Sequence, residues 1–167
     1  VLFPLLAVTH RAGDAAAVRQ YVRTGMRLAL VIAGAMVSVT SGLARGLLFS
    51  FFGGDTAALG TSAMELLTLG FGAFALLGLL TTVLNGLGRE GQSAVVTVLA
   101  FGLVVGLGAM SLAGAPFTRE LLWRTAVATS IGILLATVAA AVLVRRAAGA
   151  LIAPLTALRV VAAVAAA

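Results

Sequence analysis

Residues 28–48 read LALVIAGAMVSVTSGLARGLL, and Arg45 is the single charged side chain in this run of 21 residues. At 1.5 Å per residue, a helix of this length measures about 31 Å, which matches the hydrocarbon core of a bilayer. A strand is not expected, because the run is long and lacks the period-two alternation of a membrane β-barrel. Since a backbone in lipid must satisfy its own hydrogen bonds, the run predicts a membrane-spanning α-helix.

Three more apolar runs of this kind follow, at 64–87, 93–113 and 122–144. The chain also begins and ends in apolar sequence, so we expect residues 1–8 to finish an earlier membrane helix and residues 155–167 to start a further, truncated one. Loops are expected between the runs, at 49–60, 88–92, 114–120 and 145–153. The predicted fold class is all-α: a polytopic bundle of transmembrane helices that forms part of a larger protein.

The overall composition agrees with a membrane protein and excludes several other classes. Hydrophobic residues make up 62% of the 167 residues and charged residues 10%, whereas a soluble domain has about 25% charged residues. The arginines behind the net charge of +6 flank apolar runs, so we expect membrane lipids as partners and no nucleic acid. With no Cys, one His and no pattern of paired carboxylates or a catalytic triad, we expect no metal, no cofactor and no enzymatic site.

A basic linker, residues 9–27, precedes the first complete span. Asp14 is the expected N-cap of an amphipathic helix that leads directly into that span. On this helix an arginine row recurs every four residues, at Arg19, Arg23 and Arg27. We favour contacts between this row and anionic lipid headgroups; alternatively, the row gathers an anionic lipid-linked substrate at a cytoplasmic entrance.

The distribution of charge predicts the orientation of the spans. One side of the predicted bundle carries eight arginines and two carboxylates, and the other side carries three arginines and three carboxylates. By the positive-inside rule the first side, with the loops 9–24, 88–92 and 145–153, is cytoplasmic. Trp123 then lies next to an outer turn, where interfacial aromatic residues are common.

Polar side chains inside apolar runs are the best candidates for a substrate cavity, because charge in hydrocarbon is costly. Ser38, Ser41 and Arg45 share one face of the first span, at spacings of three and four residues. That face would border a water-filled cavity and meet an anionic substrate. A second interpretation, which the position of Arg45 near the outer end favours, is that its side chain snorkels to the headgroups.

Two polar residues in the second span have a structural and a functional interpretation each. Glu65 is favoured as a first-turn carboxylate that interacts with the helix dipole, with a coupling-ion site as the alternative. Three roles are open for Asn85: it caps the helix, forms a hydrogen bond to another helix of the bundle, or contacts substrate. Rows of small residues predict close helix packing, within one chain or in a dimer, and the oligomeric state stays open: Gly42 with Gly46, Gly102 with Gly106, and Gly132 with Ala136 and Ala140.

Several short elements occur in a recognisable order. They are LFPL at 2–5 and RAGD at 11–14, LLFSFFG at 47–53, VLNGLGR at 83–89, and RRAAG at 145–149 followed by Pro154 and Arg159. In this order they resemble the C-terminal half of the polysaccharide flippases in the multidrug/oligosaccharidyl-lipid/polysaccharide exporter superfamily. The resemblance extends over nearly the whole chain.

The resemblance implies the end of helix eight, helices nine to twelve and the start of helix thirteen of a two-lobe transporter in the bacterial inner membrane. Such proteins flip undecaprenyl-pyrophosphate-linked sugars by alternating access. The related lipid II flippase ranks second, because it usually has a different element where this chain has residues 84–91. Two further interpretations stay open: a multidrug/cation antiporter of the same fold, and a membrane module without transport activity.

Overall fold

The computed structural model describes residues 2–114 and 118–149, in which all regular structure is helical. The five helices are α1 (Leu2–Arg11), α2 (Ala15–Phe52), α3 (Gly54–Gly86), α4 (Glu90–Leu112) and α5 (Arg119–Ala148). Within the described ranges, α2 to α5 are each long and apolar enough to cross a membrane. The all-α transmembrane bundle is therefore confirmed, while the further span expected at 155–167 lies outside the described residues.

Local side-chain chemistry defines where two helices begin. The Asp14 carboxylate accepts hydrogen bonds from the backbone N–H groups of Ala16 and Ala17, at 3.1 and 3.0 Å. The Thr118 hydroxyl accepts one from Leu121 N–H, at 3.3 Å. Both residues thus satisfy N–H groups that have no partner within the first helical turn, as expected of N-caps.

The helices are longer than the predicted spans, and the loop predicted at 49–60 is wrong. Instead of a loop at 49–60, Gly53 alone separates α2 from α3. Gly53 has a φ of +86°, which glycine adopts without strain, so the chain reverses within one residue and both flanking segments stay helical. The first part of the basic loop expected at 145–153 is helical as far as Ala148, so that Arg145 and Arg146 belong to the last turn of α5, and residues 150–153 lie outside the described residues.

The spanning helices are arranged in a row, in the order α2, α3, α5, α4. Helix α3 packs against both α2 and α5, while α5 packs against both α3 and α4. Helices α2 and α4, at the two ends of the row, make no contact with each other in the described part of the chain. The short helix α1 packs on α2 and α3. Helix α5 is therefore the inner helix that connects α4 to the rest.

Small residues let α5 approach its neighbours closely. A Cβ added at Gly70 of α3 would lie 2.7 Å from Ser130 Oγ and 3.1 Å from Ser130 Cα. The Ser130 hydroxyl donates a hydrogen bond to the Leu66 carbonyl of α3, at 3.1 Å. On the other side of α5, a Cβ added at Gly132 would lie 3.2 Å from the Val104 backbone nitrogen of α4.

The small-residue rows predicted from the sequence differ in their outcome. Gly132, Ala136 and Ala140 are all buried, which confirms the row on α5 as a packing face. In contrast, added Cβ atoms at the glycine pairs of α2 and α4 would meet nothing within 4 Å; these are Gly42 with Gly46 and Gly102 with Gly106. Those two pairs do not mediate helix packing among the described residues.

The largest apolar core lies at one end of the row, which we call the arginine-rich end. It joins Leu6 of α1 to residues near the start of α2, the end of α3, the start of α4 and the end of α5; its fully buried members are Leu6, Val22, Val83, Leu84, Ala136, Ala140 and Val144. All five helices meet there. The other end, where α2 turns into α3, is called the opposite end.

The Gly70 contact predicts a clear stability effect. We expect Gly70→Ala to destabilise the bundle by about 1–3 kcal/mol, because the added methyl overlaps both the side chain and the backbone of Ser130. The midpoint of thermal unfolding in detergent measures the effect.

Gly78→Ala is the matched control on the same helix, since an added Cβ there meets nothing within 4 Å. We expect it to be neutral or stabilising by up to about 1 kcal/mol from helix propensity. Equal unfolding midpoints for the two variants would contradict the close packing of α3 against α5.

Candidate functional site

A groove of about 680 Å³ lies between α2, α3 and α5. Its walls run from Leu30 to Ser41 on α2 and from Ser62 to Leu76 on α3, and α5 adds Trp123 and Leu134. Its volume falls within the roughly 300–1,000 Å³ that is usual for ligand pockets. Because the lining is mostly aliphatic, the groove suits an apolar chain along most of its length.

Helical periodicity explains how one face of α3 forms the floor of the groove. The lining residues of α3 recur every three or four positions, the spacing of one helix face; they are Ser62, Glu65, Leu66, Leu69, Gly72, Ala73 and Leu76. A Cβ added at Gly72 would lie 2.5 Å from Val37 Cγ2. Helix α2 therefore lies close to α3 at that level, and the groove lining continues on both sides of this contact.

The polar part of the groove is concentrated toward the opposite end. Ser41, Ser62, Glu65 and Trp123 are its lining residues with polar side chains. Glu65 is exposed, and Trp123 is 49% exposed. A carboxylate, two hydroxyls and an indole N–H provide both acceptors and donors for hydrogen bonds. The groove thus has an apolar length and one polar end, as an amphiphilic ligand requires.

The structure corrects the preferred interpretation of Glu65. Helix α3 begins at Gly54, so Glu65 lies 11 residues, or about three turns, inside the helix. Interaction with the helix dipole is confined to the first turn. Glu65 is therefore not a first-turn carboxylate; instead, it lines the groove.

A second, shallower cavity adjoins the polar end of the groove. It shares Ser62 and Trp123 with the groove and adds Arg119 and Glu120 from the first turn of α5. Glu120 forms an ion pair with Arg124, four residues along the same helix. Arg119 makes no ion pair within the described ranges. At its polar end, the groove therefore has the guanidinium of Arg119 as well as the carboxylate of Glu65.

The predicted cavity residues of the first span do not share one surface. Ser41 lines the groove and is half-buried. Ser38 is half-buried but lies outside the lining, and Arg45 is exposed one turn beyond Ser41. The guanidinium of Arg45 makes no ion pair in the part of the chain that the structure describes. Of the three, the structure brings Ser41 to the groove and leaves Arg45 on an open face of α2.

Asn85 is separated from the groove. It lies in the last turn of α3, at the arginine-rich end, where its backbone carbonyl accepts a hydrogen bond from Gly88 N–H at 3.0 Å. Twenty residues separate it from Glu65, which corresponds to about 30 Å along the helix axis. Asn85 and Ser41 therefore do not act on the same part of a ligand.

The arginine row of α2 is exposed along its length. Arg19, Arg23 and Arg27 all present their side chains at the surface of the arginine-rich end. Within residues 2–114 and 118–149, the ion pair between Arg124 and Glu120 is the one that forms, so none of the three is paired with a carboxylate. Their charges are available to anionic groups, in agreement with both predicted roles for the row.

Ser62, Gly34 and Gly72 are among the lining residues that were not candidates predicted from the sequence. Ser62 precedes the predicted start of the second span at residue 64 and therefore falls outside that span. Its spacing of three residues from Glu65 places both on one face once the helix is extended toward Gly54. Gly34 and Gly72 give no chemical signal, because they contribute to the groove by lacking a side chain.

The position of Glu65 predicts water in the groove. A carboxylate in hydrocarbon costs at least about 2.5 kcal/mol, so we expect water to accompany it and reach Ser41. The chain lacks cysteine, so single cysteines can be placed freely. We expect Ser41→Cys to react with a charged, membrane-impermeant thiol reagent, and Val39→Cys, on an exposed face of the same helix, to stay unreactive. Equal labelling of both positions would contradict a hydrated groove.

The groove and its charged ends are the features of this protein that could bind a ligand. No protein-family model matches this sequence, and comparison with curated proteins and with solved structures likewise gives no match. The described residues establish a protein with four membrane-spanning helices, a groove along three of them and unpaired arginines at its surface. This is a multi-pass, all-α membrane protein.

Proposed function

We propose that this protein is a membrane transporter that flips undecaprenyl-pyrophosphate-linked oligosaccharide or polysaccharide precursors across the bacterial inner membrane. The observation that carries the proposal is the groove: it is apolar over most of its length and polar at one end. A lipid-linked sugar has the same division, with a long hydrocarbon chain and a polar, charged head. The ordered elements that resemble the polysaccharide flippases support the same function.

The position of the groove also favours a lipid substrate. On α2 its lining begins at Leu30, one turn from Arg27, and ends at Ser41, one turn from Arg45. The 18 residues between these arginines correspond to about 27 Å of helix, close to the thickness of the hydrocarbon core. The lining itself extends from Ser62 to Leu76 on α3, or about 21 Å. A hydrocarbon chain in the groove would therefore be in contact with protein over about two-thirds of the hydrocarbon core, and a cation stands near each end.

A second candidate function rests on Glu65. A multidrug/cation antiporter of this fold needs a carboxylate well inside a helix to couple an ion, and Glu65 is three turns inside α3 and lines the groove. The two functions differ in what Glu65→Gln should do. Loss of gradient-driven efflux of a lipophilic cation, with normal surface glycan, would favour the antiporter.

A groove-filling substitution tests the flippase. We expect Gly34→Phe, which places a ring in the groove, to reduce the transfer of the lipid-linked precursor by roughly tenfold or more, because about 1.4 kcal/mol of lost binding has that effect. In cells, surface polysaccharide should fall and the lipid-linked precursor should accumulate, as in a strain that lacks the gene.

Gly42→Phe is the matched control, since an added Cβ at Gly42 meets nothing within 4 Å and Gly42 does not line the groove. We expect it to keep the parental amount of surface polysaccharide at the same protein level. Unchanged glycan and no accumulated precursor in the deletion strain would refute the proposed function.

A further inference from the structure

The face of α2 that lines the groove continues into two arginines at the arginine-rich end. Leu30 is the lining residue nearest to that end of α2. Arg27 precedes Leu30 by three residues, and Arg23 precedes Arg27 by four, so both lie on or beside the same face. Both side chains are exposed.

The face of α5 that lines the groove also ends in an arginine. Trp123 and Leu134 are its lining residues, and they are 11 residues apart. Arg145 follows Leu134 by another 11 residues, and 11 residues make about three helical turns. Arg145 therefore lies directly below Trp123 and Leu134 on the same face of α5, and its side chain is exposed.

These two faces come together at the arginine-rich end. Gly149, one turn after Arg145, lies against α2: a Cβ added there would be 4.0 Å from Cδ of Arg19. One turn further into the bundle, Val22 of α2 and Val144 of α5 belong to the same buried core. The arginines of the two faces therefore lie at the same end of the bundle, where α2 and α5 contact each other.

Among the described residues, none of these arginines forms an ion pair with a carboxylate. The Asp14 carboxylate is engaged with two backbone N–H groups of its own helix. Glu90, in the first turn of α4, forms no ion pair with an arginine in the described part of the chain. The like charges of Arg23, Arg27 and Arg145 repel each other, so an anion that binds all three relieves that repulsion.

We propose that Arg23, Arg27 and Arg145 form a binding site for the phosphate head of a lipid whose hydrocarbon chain enters the groove. Guanidinium groups bind phosphate oxygens through paired, charge-assisted hydrogen bonds. Basic clefts between membrane helices near the cytoplasmic surface are suited to anionic headgroups. The inference rests on the proposed function, because it identifies where the anionic head of the substrate first binds.

The test detects whether the hydrocarbon chain of the lipid occupies the groove, and it does not depend on transport. In a Trp123→Phe background, a single tryptophan is placed at Leu76, which lines the groove, or at Phe74, which is 56% exposed and lies outside it at a similar depth. The full chain is reconstituted in phosphatidylcholine vesicles with a small fraction of phosphatidic acid brominated in mid-chain. Bromine quenches tryptophan on contact, so we expect stronger quenching of Leu76→Trp than of Phe74→Trp.

Substitutions of single arginines then identify which of them bind the phosphate head. We expect each of Arg23→Gln, Arg27→Gln and Arg145→Gln to weaken the enrichment of phosphatidic acid about fivefold, the equivalent of about 1 kcal/mol per arginine at the membrane surface. Arg89→Gln and Arg146→Gln remove the same charge at the same end, from the α3–α4 turn and from another face of α5, and should leave the quenching unchanged.

Each outcome separates the inference from the proposed function. Quenching that is equal for brominated phosphatidic acid and brominated phosphatidylcholine, or equal losses from all five substitutions, would overturn the phosphate site and leave the flippase proposal standing. Selective quenching in a protein whose deletion leaves surface glycan normal would uphold the site and refute the flippase proposal. Selective quenching lost only with Arg23, Arg27 or Arg145 supports the site.

Discussion

The close contact of α5 with two neighbours is the constraint on which the rest of the bundle depends. Water drives apolar side chains together in a soluble core, whereas lipid does not, so helices in a bilayer associate through packing and interhelical hydrogen bonds. Gly70 and Gly132 permit that packing, and Ser130 and Thr137 of α5 donate hydrogen bonds to carbonyls of α3, both at 3.1 Å. Without α5, helix α4 would lose its main contact with the chain.

The uneven distribution of packing produces the groove. Large aliphatic side chains from all five helices fill the arginine-rich end. Beside this core, α2 and α5 stand on either side of α3 and have few contacts with each other. Small side chains such as Ala33 and Gly34 leave space between them. The same chain thus has a packed core that fixes the helices and, beside it, a groove that leaves room for a ligand.

The sequence is sufficient to predict what depends on local chemistry. Spans follow from the cost of charge in lipid, and the caps Asp14 and Thr118 follow from their side-chain acceptors. Features that depend on distant contacts are not predictable in this way. The role of Glu65 depends on a helix that starts at Gly54, and Gly132 packs against α4 while the equally small Gly102 does not pack against α5. No local pattern distinguishes two glycines that differ only in their neighbours.

The single-residue link at Gly53 has a mechanical consequence for the two longest helices. A longer loop would allow α2 and α3 to move relative to each other along the membrane normal. One residue spans less than about 4 Å even when fully extended, less than one helical turn. Axial displacement of α2 must therefore displace α3 as well, so the floor of the groove and one of its walls move as a unit.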